Sequence, residues 1–128
     1  MRSFVLIVAA LAGLGYLAGG VWAMVAPQSF FDVIATYPPY NRHLLHDIGA
    51  FLIGIGIGTL VGVWSRNALI TGLAGVTAAS VCHSVSHLVD DHLGGHDSDP
   101  WLMAALAIVL LITTAAAVMT RARARSPR

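Results

Sequence analysis

Two short stretches hold most of the side chains that could do chemistry. RHLLHD (42–47) carries His43, His46 and Asp47, and SVCHSVSHLVDDH (80–92) carries His83, His87 and Asp90. Both border long apolar runs, where an ionisable group is costly and needs a partner or a task. His83 and His87 stand at i and i+4, so one helix face can present both imidazoles to a single ion. An aspartate can then serve as third ligand or orient an imidazole. A mixed imidazole and carboxylate set suits zinc or non-haem iron, and imidazole also suits copper. Haem held by an axial histidine between facing helices ranks behind a bare metal ion, because the chain has no CxxCH. The zincin pattern HExxH is absent, since Ser84 follows His83.

At about 100° per residue, Asp47 and His43 lie about 40° apart and share a face with Ala50, Gly54 and Gly58. His46 points about 100° away from Asp47. His83, His87, Asp90 and Ser80 share an arc of about 80°. In an antiparallel pair, His43 falls level with His87, and Asp47 with His83. The expectation is a metal or cofactor site on Asp47, His83 and His87, with His43, His46 and Asp90 around it. Asp91, His92, His96, Asp97 and Asp99 can add ligands or draw cations inward. The plainer reading is that these groups only cap and hydrogen-bond: Asp47 in a first turn meets the helix dipole favourably. Cys82 points off the arc and is read as packing.

Four apolar runs position these residues, at about 4–25, 44–64, 68–89 and 101–119, each close to the roughly 20 residues a spanning helix needs. Backbone groups in lipid must be satisfied within the segment, so each run reads as a helix. Charged residues are only 10% of the 128, against about 25% in soluble domains, too few to coat a water-facing surface. The fold class is therefore all-α: one domain over 1–128, a polytopic membrane protein with four transmembrane helices in an antiparallel bundle. The first run is longer than the h-region of a signal peptide and is read as a retained helix.

All seven basic residues are arginine and all six acidic residues aspartate. With the N-terminus inside, Arg2, Arg66, Arg121, Arg123, Arg125 and Arg128 face the cytoplasm and only Arg42 faces out. That asymmetry places both termini in the cytoplasm, and every aspartate and histidine then falls at the outer face of a bacterial inner membrane. The loop from Ala26 to Arg42 is read as a connector with an apolar, headgroup-facing side (Phe30, Phe31, Val33, Ile34, Tyr37). Ser65-Arg66-Asn67 makes a tight turn, Pro100 opens the last helix, and RARARSPR reads as a basic anchor.

Lipid gives helices no hydrophobic reason to associate, so small residues decide packing. Ala50, Gly54, Gly58 and Gly62 form a ladder at spacing four, which predicts a central second span packed through that face. Gly15 with Gly19, and Gly75 with Ala79, offer the same spacing on the first and third spans.

YPPYNRHLLHDIGAFLIGIGIG followed by HSVSHLVDDH is similar to small four-span bacterial integral membrane proteins of uncharacterised function. The resemblance covers the start of the second span and the span pattern. It implies the architecture, and no activity, cofactor or residue role.

Three functions are weighed. The first is a histidine-rich, metal- or cofactor-binding membrane protein. The second is a structural or assembly subunit that docks a membrane-protein partner or a second copy. The third is a proton- or cation-coupled carrier, which the apparent lack of polar residues in the middle and inner halves of the spans disfavours. One cysteine excludes an intrachain disulfide and CxxC chemistry. No P-loop or nucleophile elbow names a reaction, and nucleic acid has no support as a partner beyond the basic tail. The bilayer itself is the one partner the composition demands.

Overall fold

The computed structural model describes residues 2–65 and 67–125. The regular elements are all helical: α1 (Arg2–Val25), α2 (Pro27–Val33), α3 (Arg42–Ser65), α4 (Leu69–Val89), a 3-10 turn (Asp91–Leu93) and α5 (Asp99–Arg125). α1, α3, α4 and α5 are each long and apolar enough to cross a membrane, so the chain is an all-α four-span bundle. α5 runs past the apolar stretch through Arg121 and Arg123. Alanine and arginine are good helix formers and nothing there breaks the helix.

Because successive spans alternate in direction, Arg2, Arg121 and Arg123 gather at one end, the arginine end. All aspartates and histidines gather at the other, the histidine end. Arg66 and Arg128, assigned above to the cytoplasmic side, lie outside the described residues.

The most extensive helix pair is α1 with α3, followed by α4 with α5 and α3 with α4; α1 also meets α5 and closes a ring. Of the two diagonals, α1 to α4 is the closer. α3 is therefore a corner of the bundle and not its centre. The glycines explain why. Gly13 and Gly20 on α1 face Gly56 and Gly49 on α3. A Cβ at Gly56 would stand 2.6 Å from the Leu17 nitrogen and 2.8 Å from the Gly13 oxygen. At Gly20 it would stand 2.7 Å from the Gly49 oxygen. Glycines seven apart on both helices bring the backbones together twice, at the repeat of a left-handed pair.

The expected ladder is thus mostly off the packing face. Ala50, Gly54 and Gly58 are exposed, and a Cβ at Gly54 or Gly58 meets nothing within 4 Å. Gly62 packs against the Ala68 oxygen at 3.1 Å, and Gly58 meets α4 only through its carbonyl, 3.1 Å from where a Cβ on Gly72 would stand. Leu45, Gly49, Gly56 and Thr59 form the buried face of α3, about 120–180° around the helix from Asp47.

Hydroxyls occupy the bundle interior, contrary to the reading that its middle lacks polar groups. Tyr16 and Ser80 share a 2.6 Å hydrogen bond that ties α1 to α4, and Thr77 bonds Thr114 at 2.8 Å between α4 and α5. Thr59 and Thr113 donate to carbonyls four residues back in their own helices. Towards the arginine end the interior closes on an apolar cluster of Val5, Ala9, Leu73 and Ala117.

The connector after α1 is itself partly helical. Pro27 sits in the first turn of α2, where its missing N–H costs nothing. The Gln28 amide donates to Asp32 one turn on, at 2.9 Å. Phe30 is buried with Ala23 and Leu45 and meets Trp22 edge-on at 5.7 Å between ring centroids. α2 is thereby fixed across the histidine end.

Candidate functional site: a two-sided cavity at the histidine end

Between α2, α3, α4 and the start of α5 lies a cavity of about 610 Å³. It falls within the range of small-molecule sites, roughly 300–1,000 Å³. Its walls differ in kind. α3 contributes Leu44, Leu45, Ile48 and Leu52, α2 contributes Phe30 and Phe31, and α5 contributes Leu102 and Met103. α4 contributes His83, Ser86, His87 and Asp90, and Tyr37, Asn41, His96, Ser98 and Asp99 are the other polar lining residues.

The polar side is organised by one chain of hydrogen bonds. The Tyr37 hydroxyl lies 3.0 Å from His87 Nδ1, and His87 Nε2 lies 2.9 Å from His83 Nε2. Helical geometry sets the second contact, since i and i+4 side chains are neighbours on one face. With both imidazoles neutral, the chain has two directions. Either Tyr37 donates to His87 and His87 donates to His83, or each donor and acceptor exchanges roles. The Tyr37 phenol is held above its ordinary pKa, first by burial and then by the negative charges of Asp99, Asp90 and Asp91. It stays a neutral hydroxyl at physiological pH.

Tyr37 is held in turn by a latch between two loops. The Gly95 N–H donates to the Thr36 oxygen at 3.1 Å. Gly94 and Gly95 have φ of 142° and 87°, a region side chains rarely enter. A Cβ on Gly95 would stand 2.6 Å from the Tyr37 hydroxyl oxygen. Asp99 accepts from the His96 N–H at 2.9 Å, and His96 Nε2 reaches the Val33 oxygen at 3.4 Å.

Of the residues expected to form a site, His83, His87 and Asp90 come together on this cavity. Asp47 and His43 do not join them. They face each other along α3 at 3.6 Å, largely exposed. His46 is half-buried, its Nε2 sequestered with no hydrogen-bond partner among the described residues. The expected rungs, His43 with His87 and Asp47 with His83, are therefore not formed, because α3 turns its apolar residues to the cavity. Among the described residues, no three His, Cys, Asp or Glu side chains converge as a metal-holding group. The residue missed by sequence reasoning is Tyr37, read as part of an apolar loop face. Its partner lies 50 positions away, and helix periodicity carries no signal for that contact.

No protein-family model, curated protein or solved structure matches the chain.

Proposed function

We propose that the protein binds a small, largely apolar molecule at the histidine end, with the molecule's polar group against His83, His87 and Tyr37. The observation that supports this is the two-sided cavity, with a leucine and phenylalanine wall opposite a hydrogen-bonded imidazole and phenol wall. Binding proteins for such molecules need this division, since apolar area supplies affinity and a few polar groups fix orientation. Ile48 lines the cavity and belongs to none of the hydrogen bonds of the polar chain. Ile48→Trp is expected to fill the space. Mass spectrometry of organic extracts should show a molecule that accompanies the wild-type protein and is lost from the variant. The same molecules in the same amounts from both proteins would rule the reading out.

A second reading rests on the two imidazoles. It has them hold one zinc, iron or copper ion, with Asp90 or the bound molecule supplying further ligands, and it is supported by the 2.9 Å separation of their Nε2 atoms. Protein purified without a histidine tag should then contain metal that disappears with His83→Ala. Metal content that is low and unchanged by the substitution removes this reading.

In our reading the histidine end faces outward across the cell membrane, supported by the arginine asymmetry. In a Cys82→Ser background, an impermeant maleimide applied to intact cells should label Asp32→Cys and not Ala124→Cys. The reverse pattern would invert the orientation.

A further inference from the structure

We propose that the ligand of this cavity is a lipophilic organic cation, an inference that rests on the binding reading above and adds the charge class. Two carboxylates, Asp90 and Asp99, line the cavity, and among the described residues no arginine does. Asp99 is engaged by the His96 N–H. Asp90 is half-buried, and its carboxylate has no hydrogen-bond or ion-pair partner among the described residues. The histidines beside it supply hydrogen-bonding ring nitrogens. Phe30, Phe31 and Tyr37 line the cavity, and aromatic rings attract cations through their quadrupoles. The last turn of α4, which carries His87, adds the negative pole of a helix. Low-dielectric walls focus such a field. An anionic head placed here would meet two carboxylates and, among the described residues, no arginine, whereas a cationic head gains Asp90 as a partner.

Tetraphenylphosphonium and tetraphenylborate have the same shape and opposite charge, which makes them the test. Each is titrated into the protein in nanodiscs of zwitterionic lipid, with empty nanodiscs as the partition control. The readout is the imidazole nitrogen NMR shifts of His83 and His87. The expected result is saturable shifts with tetraphenylphosphonium alone, weakened about tenfold in Asp90→Asn, the equivalent of about 1.4 kcal/mol. Asp99→Asn serves as the second variant. Equal or tighter binding of tetraphenylborate, or unchanged tetraphenylphosphonium binding in both variants, overturns the charge assignment and leaves the binding cavity standing. Saturable binding of neither probe overturns the charge assignment, and loss of the difference between Ile48→Trp and wild-type extracts then separately removes the cavity reading.

Discussion

Gly56→Ala is expected to destabilise the bundle more than any other single-methyl change. The added Cβ would stand 2.6 Å from the Leu17 nitrogen and 2.8 Å from the Gly13 oxygen. Both are backbone atoms of α1, so no rotamer change relieves the contact and the two helices must move apart. Overpacking typically costs about 1–3 kcal/mol, and rigid neighbours put this site at the upper end. Separating α1 from α3 also weakens the contacts at Gly13, Gly20 and Gly49, which share the same register. Gly54→Ala is the internal control. It adds the same methyl on the same helix where nothing lies within 4 Å. Alanine is the better helix former by about 1 kcal/mol, so that variant should be neutral or slightly stabilised. Thermal unfolding in one detergent compares them. A melting temperature for Gly56→Ala equal to that of Gly54→Ala would contradict the packing described.

Gly95→Ala is expected to release the latch without unfolding the spans. Its φ of 87° costs an ordinary residue about 1–2 kcal/mol in the left-handed region. Its methyl would also press on the Tyr37 hydroxyl, 2.6 Å away. The loop yields first, because it is held by few contacts, of which the Gly95 to Thr36 hydrogen bond is the central one. Both loops should then open together. Hydrogen exchange is expected to rise about tenfold in residues 34–40 and 90–98 alike, since about 1.4 kcal/mol corresponds to a factor of ten. The spans should exchange as before. Faster exchange confined to 90–98 would show that Tyr37 does not depend on the latch.

The two histidine-bearing helices show what a sequence of this kind discloses. On α4, the arc that the wheel indicates runs from buried Ser80 to the cavity, which His83, His87 and Asp90 line with His83 still exposed. His83 stands well inside the span, where facing lipid would be costly, so polarity alone fixes the rotation of that helix. α3 carries no such constraint. His43 and Asp47 occupy its first turns, within reach of water, and can face outward at little cost. Between Ile48 and Val63 its one polar side chain is Thr59, whose hydroxyl is satisfied within the helix at the Ile55 oxygen, so small residues set its face, and they point two ways. Ala50, Gly54 and Gly58 make a stripe at spacing four, and Gly49 with Gly56 makes one at spacing seven. The second matches Gly13 and Gly20 on α1 and forms the contact. A comparison of spacings between helices, not within one, carried that signal.

The fold itself was legible because lipid demands helices and arginines sort by side. The cavity was half legible. The shared arc of His83, His87 and Asp90, which line it, can be read from the sequence, while Tyr37 and the leucine wall depend on how loops and helices meet. Such meetings leave no periodic trace.

The most direct measurement of the cavity's use is photolabelling in native membranes with an alkyl diazirine probe, followed by peptide mapping of the modified residues. The expected result is saturable labelling concentrated at Leu45, Ile48, Leu52 and Met103, abolished by Ile48→Trp. Labels spread instead over the lipid-facing Phe51, Ile57 and Val61, with the cavity residues unmarked, would contradict a binding role for the histidine end.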